Sequence, residues 1–305
     1  MSSLSIPQLP YFVSEKQLPA PLPDPESLRE DQHPLDILRG VRIGNHYVAR
    51  YGLDPVAGPL EAINMLIVSK YTKVPIPTLY AAYWHEHHGI WSFVMVTEYV
   101  PGHTIREHAG NDVDLLKMLV PSITEQLRHA LSQLREIPHA GFFGPASEDP
   151  ALRSKQFKSV IEMRNSRFDE YIPEYRGEPD DLSRQYMKTR AAARKQFSMG
   201  LSTGDEPVFT HGRLDMWAIK VRPDGNICIT RWGSAGFYPP EFEYMRAESM
   251  GEGCEVWRDI LAAFPENSSD ERYDLIENIF HEYEEMMEIK HELLLEDLDE
   301  EGLAC

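Results

Sequence analysis

Along this chain the spacing of apolar residues switches between a period of two and a period near 3.6, and the switches mark its elements. Tyr47-Val-Ala-Arg-Tyr51 predicts a short strand that ends at Gly52. Residues 60–70 predict a helix, with Ile63, Leu66 and Ile67 at helical spacing. In Val74-Pro-Ile-Pro77 each proline biases its predecessor away from helix, so this run is extended. Residues 79–84 and 91–99 predict two paired strands, with His85-Glu-His-His-Gly89 as an exposed hairpin tip between them. Pro101-Gly102 breaks this pattern and reads as a hinge.

Helical spacing dominates after the hinge. Residues 112–137 carry the stripe Leu115, Leu119, Ile123, Leu127, Leu131 and Leu134, with a bend expected near Pro121. Residues 181–197 and 241–264 predict further helices, and residues 274–298 place Leu275, Ile279, Phe280, Tyr283, Met287 and Leu294 on one face. Between them, residues 207–210 predict a strand. Residues 218–221 and 226–230 flank Pro223-Asp-Gly225, turn chemistry that predicts a hairpin. Prolines 7, 10, 19, 21, 23 and 25 block both helix and ladder bonding, so the N-terminus is an extended arm, either a disordered leader or a strap packed on the fold. The layout is α+β: an arm over 1–34, a small β-rich lobe over 35–100, and a larger helical lobe with a hairpin over 101–305.

Composition narrows the function. The 305 residues are 42% hydrophobic and 10% aromatic, which excludes wholesale disorder. The 49 acidic residues against 30 Lys and Arg give a net charge of −19, which argues against nucleic acid and anionic membranes as partners. Ten acids and one lysine fall within residues 281–305, so nearly half of that charge belongs to the tail. Cys228, Cys254 and Cys305 lie far apart, with no metal-binding spacing and no disulfide framework. Residues 1–10 lack the basic start and apolar core of a signal peptide, and no apolar run is long enough to span a bilayer. A soluble cytoplasmic protein is expected.

Several ordered motifs carry a resemblance. They are His211-Gly-Arg-Leu-Asp-Met-Trp-Ala-Ile-Lys-Val221, the Pro223-Asp-Gly225 turn, Ile229-Thr-Arg-Trp232, Ala235-Gly-Phe-Tyr-Pro239 and Glu243-Tyr244. Upstream stand Tyr47-Val-Ala-Arg50, Leu60-Glu61-Ala62, Val74-Pro-Ile-Pro77 and Met95-Val-Thr-Glu98-Tyr-Val-Pro-Gly102. Together they resemble the aminoglycoside phosphotransferase and choline-kinase-like family, in its fungal-type branch, over about residues 35–250. The resemblance implies a bilobal protein-kinase-like fold and phosphorylation of small molecules by ATP and magnesium, and the branch suggests a setting beside secondary metabolism. The family's loop Asp receives or orients the substrate proton, its loop Asn and hairpin Asp hold magnesium, and a strand Lys fixed by a helix Glu meets the phosphates.

At the matching positions this chain differs. The loop Asp is Arg213, the loop Asn is Ala218, the hairpin Asp is Arg231 and the strand Lys is Arg50, while the helix Glu remains as Glu61 and the hinge holds Glu98. Cations replace both carboxylates, and like charges a few ångströms apart cost kcal/mol rather than tenths. The expectation is a pseudokinase with no catalytic residue by the standard mechanism, no metal and no cofactor: either a module that binds a small molecule or scaffolds a protein partner, or an enzyme with repurposed, non-phosphoryl chemistry in the same cleft. ATP and magnesium enter only if Asp215 serves as a displaced acid; otherwise it pairs with a cation or caps a turn. Arg213 and Arg231, with Trp217 beside them and Arg50 behind, either bind a small acidic molecule or are spent on Asp215, Glu61 and Glu98. His211 is expected to brace the loop, with acid–base chemistry as the rival. Gly40 and Gly44 fall roughly where the family has its phosphate loop. His85, His87 and His88 have metal-like spacing, but an exposed hairpin tip speaks against a site.

Overall fold

The computed structural model describes residues 4–26, 40–53, 57–149, 153, 155–172, 174–177, 180–199, 206–249 and 254–265. The expected helix over 274–298 and the acidic tail lie outside these residues. The chain forms two compact units, one built from residues 1–156 and 206–268, the other containing 157–205.

In the first unit, β1 (Tyr11–Phe12), β2 (Val41–Ile43), β3 (Tyr47–Leu53), β4 (Leu79–His87) and β5 (Ile90–Glu98) form one antiparallel sheet, ordered β1-β4-β5-β3-β2. The sequence predicts a five-residue tip at 85–89, but the β4–β5 hairpin turns on two residues. His88 and Gly89 have φ of +50° and +79°, and His87 pairs with Ile90. A two-residue turn of this kind matches the strand twist only when both central residues have positive φ, which Gly89 adopts readily. His85 and His87 are therefore strand residues, alternating with exposed Trp84 and Glu86.

Helix α1 (Ala57–Tyr71) is buried nearly all round, with Leu60, Ala62, Ile63, Met65, Ile67 and Val68 in the core. A helix surrounded by protein needs no polar face. Residues 4–26 of the arm form a strap. Val13 donates to Tyr80 O at 2.9 Å, and Val13, Leu18, Ala20 and Leu22 cover the outer face of the sheet at Tyr47, Tyr51 and Tyr80. That face would otherwise expose a row of aromatics, and β1 covers the open edge of β4.

After the sheet come β6 (His103–Thr104), α2 (Ile105–Asn111) and α3 (Val113–Arg135). Thr104 and Glu107 form a reciprocal capping box at the start of α2, and Asp112 accepts from Leu115 N at 3.0 Å to start α3. Leu116, Ile123, Leu127, Ala130, Leu131 and Leu134 are buried, whereas Leu115 is exposed, against the predicted stripe. Seven residues back from Ile123 is almost two whole turns, and eight residues overshoots by most of a right angle. Pro121 lies inside this helix.

Strands β7 (Gly144–Pro145), β8 (Val208–Thr210) and β11 (Gly236–Tyr238) form a small sheet, and β9 (Ile219–Val221) and β10 (Ile227–Ile229) form the predicted hairpin, extended by β6. In place of one helix over 241–264 there are two, α6 (Phe242–Ser249) and α7 (Glu255–Leu261). Gly251 and Gly253 lie between them, and glycine is a weak helix former. In the second unit α4 (Val160–Tyr171), which the sequence reading lacked, and α5 (Asp181–Met199) pack around Phe168, Ile172, Tyr186 and Ala193. The α+β class with an antiparallel sheet lobe followed by helices agrees with expectation. Among the described residues no helix is long and apolar enough to cross a membrane.

Candidate functional site

The loop between β8 and β9 carries residues 211–218, and its shape rests on groups buried beneath it. Gly212 has φ +72°, and a Cβ there would lie 2.3 Å from Ser234 O, so only glycine lets the loop cross the turn at 232–234. The buried Glu243 carboxylate, on α6, accepts from His211 N and, at 3.1 Å, from Gly212 N. Burial pushes its pKa up to about 7, against the pull of the His211, Gly212 and Leu214 amides and of Arg135. Asn64 of α1 is also buried and donates to Trp232 O at 2.8 Å and Ala235 O at 3.0 Å. These two side chains fasten the loop and the turn to α6 and α1.

His211 is fully buried, edge-on to Trp232. Its Nε2 faces Thr230 O at 2.8 Å, and its Nδ1 accepts from Arg213 N at 3.3 Å. A carbonyl accepts only, so the proton belongs on Nε2 and the ring is neutral. Burial lowers its pKa to about 4, in spite of the Thr230 bond and the nearby Asp215 and Glu61 carboxylates. With both nitrogens engaged, this imidazole braces the loop.

Asp215 is spent locally. Its Oδ1 accepts from Trp217 N at 2.8 Å and Ala218 N at 3.0 Å, capping the turn, and its side chain is 3% exposed. Its Oδ2 is buried without a hydrogen bond and lies 3.6 Å from Arg213 Nε. Arg213 itself is 48% exposed. Across the site, Arg50 on β3 forms a two-pronged pair with Glu61 on α1, at 2.9 and 2.7 Å. Their side chains are 16% and 11% exposed, so water screens this pair weakly. Glu98 is a strut: it accepts from Thr78 N and Oγ1, both at 3.1 Å, and from Arg222 at 3.3 Å.

Arg231 differs from the other two arginines. It sits in left-handed backbone at φ +66°, is exposed, and holds its guanidinium 5.9 Å from the centre of the exposed Trp217 ring. Among the described residues no carboxylate lies within ion-pair distance of it. A non-glycine residue in this conformation is uncommon and costs about 1 kcal/mol or more. The pairing of charges is thus explicit: Arg50 with Glu61, Arg213 with Asp215, Arg222 with Glu98, and Arg231 with none among the described residues.

The hinge is tied to the hairpin as well. Lys220 Nζ donates to Val100 O at 2.7 Å, and burial lowers the Lys220 pKa. Gly102 has φ +104°, and a Cβ there would fall 2.0 Å from Val221 O. Gly40 and Gly44 also have positive φ, and β2 between them pairs with β3. Asn64 was absent from the sequence reading, and Glu243 entered it only as part of a motif. For Asn64 the available signal was a polar residue inside the apolar run 62–68; for Glu243 no local signal pointed to its partner. As ligands for magnesium, Arg213, Ala218 and Arg231 offer no side-chain oxygen, so the hard, oxygen-seeking ion does not fit them.

No family model and no curated protein matches the chain. Solved structures do resemble it. An amicoumacin kinase in complex with AMP-PNP, Ca²⁺ and Ami is 9% identical with a TM-score of 0.48, over 86% of this chain and 86% of that one. A thermostable mutant of aminoglycoside phosphotransferase APH(4)-Ia, in ternary complex with ADP and hygromycin B, is 12% identical with a TM-score of 0.49, over 80% and 87%. Choline kinase LicA from Streptococcus pneumoniae is 11% identical with a TM-score of 0.44, over 81% of each chain.

Proposed function

We propose that this protein is a kinase-like binding module that holds a small acidic molecule on Arg231 and Trp217, and that it has lost magnesium-dependent phosphoryl transfer. The observation that carries the reading is Arg231: exposed, in costly left-handed backbone, beside an aromatic ring and without an acidic partner among the described residues. Guanidinium forks grip carboxylates and phosphates bidentately, and a planar aromatic beside the fork favours a planar acid. Arg213, half exposed and only loosely paired at 3.6 Å, is a second donor, on the loop itself. The rival, a working phosphotransferase with Asp215 as its base, has weaker support. That carboxylate is buried, and one of its oxygens already takes two amides.

Calorimetry with citrate, inorganic phosphate and ATP, each with and without Mg²⁺, tests the reading. Binding of at least one acid is expected without magnesium, weakened about 10- to 100-fold by Arg231→Ala, the loss of one or two charge-assisted hydrogen bonds. Magnesium-dependent ATP binding with turnover would overturn it.

A further inference from the structure

Three side chains outside this loop converge on the sheet at Glu26 of the N-terminal strap. Glu26 reaches back to β4, where its Oε1 lies 2.7 Å from His85 Nε2 and its Oε2 lies 2.7 Å from His87 Nδ1. The two histidines are two apart on one strand and so share a face. Both are partly buried, at 22% and 26% exposed, with the Tyr51 ring edge-on to His85. One ligand atom from each residue fits within a span of 4.8 Å. Glu86, between the two histidines, is turned to Gly89 N at 2.8 Å and takes no part.

We propose that Glu26, His85 and His87 form a binding site for a divalent transition metal of the zinc type, which pins the N-terminal strap to the β4–β5 hairpin. Two imidazoles and one carboxylate are a common three-residue zinc set, with water in the fourth, open position. Tetrahedral bonds of about 2.0–2.1 Å place ligand atoms about 3.3 Å apart, so the two 2.7 Å contacts open by about 0.6 Å and the widest pair, within 4.8 Å, closes by up to about 1.5 Å. Imidazole nitrogens select zinc, copper or nickel over magnesium and calcium, which seek oxygen. The metal takes the ring nitrogen that now faces the carboxylate, and each imidazole then carries its proton on the other nitrogen. The ligands come from segments 59 residues apart, so occupancy holds the strap down through a cross-link that the sheet alone does not supply.

The full-length protein, stripped with chelator and dialysed, is titrated with ZnCl₂ by calorimetry. One site with a dissociation constant below about 1 μM is expected, with no heat from MgCl₂. Glu26→Gln, which leaves the sheet untouched, should weaken it at least about tenfold, and the His85→Asn, His87→Asn double variant should abolish it. His129→Asn, far away on α3, should change nothing. Zinc in tenfold excess over its dissociation constant should slow tryptic cleavage after Lys16 about tenfold in the native protein and not in the double variant. Absence of a saturable site, or a site that both variants retain, overturns the metal assignment. Zinc binding without protection at Lys16 overturns the pinning.

Discussion

Glu243 and His211 touch through a backbone amide yet respond oppositely to pH, and this sets up a sharp test. Each pH unit between folded and unfolded pKa is worth about 1.4 kcal/mol. Glu243 rises from 4.5 to about 7 on folding, so the folded state holds a proton that the unfolded state has released. Its contribution is complete below pH 4.5 and is lost as pH climbs to 7, about 3 kcal/mol in all. His211 falls from 6.5 to about 4, so here the unfolded state binds the extra proton. Its contribution is complete above pH 6.5 and is lost as pH drops to 4, again about 3 kcal/mol. Between pH 4.5 and 6.5 the two slopes cancel.

Glu243→Gln removes one slope and leaves the other. From pH 6.5 to 4.5 the variant should lose roughly 3 kcal/mol more stability than the native protein does. His211→Asn should do the reverse and gain about as much on acidification. Urea unfolding at half-unit pH steps, followed by tryptophan fluorescence, measures both. The comparison uses differences across pH, so a uniform loss from the disturbed hydrogen bonds drops out. If native and Glu243→Gln curves stay parallel to within about 1 kcal/mol, the carboxyl is not the buried, proton-holding group described here.

Two further outcomes are expected. Arg50 and Glu61 form a weakly hydrated, two-pronged pair, so Arg50→Ala alone should destabilise by about 3 kcal/mol. The coupling energy from a double-mutant cycle with Glu61→Gln should exceed about 1 kcal/mol, and additive effects would refute the pairing. Gly102→Ala forces a Cβ to within 2.0 Å of Val221 O in left-handed backbone, and should lower stability by more than about 2 kcal/mol in thermal melts.

Much of the architecture was legible because it is written in local spacing. Alternation marked the β4–β5 pair, the Pro223-Asp-Gly225 turn marked the β9–β10 hairpin, and the loop motif located residues 211–218. Errors arose where a single backbone angle decides. Five residues from His85 to Gly89 look like a tip, but positive φ at His88 and Gly89 tightens the turn and moves two histidines into a strand. The strap was legible only as proline density, which fits a leader as well as a packed arm. Its anchor at Tyr47, where the hydroxyl contacts Ala20, lies 27 residues away. Asn64 and Glu243 were illegible as fasteners for the same reason. Asn64 reaches Trp232 across 168 residues and Glu243 reaches His211 across 32, and no local period encodes such pairs. The charge pairing was half legible: the sequence supplied the cations and acids, and only geometry assigned Glu61 to Arg50 and left Arg231 without an acidic partner among the described residues.

The loop from 211 to 218 hangs on the Glu243 carboxylate and the His211 imidazole, and the turn at 232–235 hangs on the Asn64 amide, all with buried working atoms. The side chains of residues 213 and 231, on its open side, hold none of those bonds. Frame and chemistry are thereby separate parts, like a socket and the bit it holds. Exchange of either side chain leaves those bonds in place.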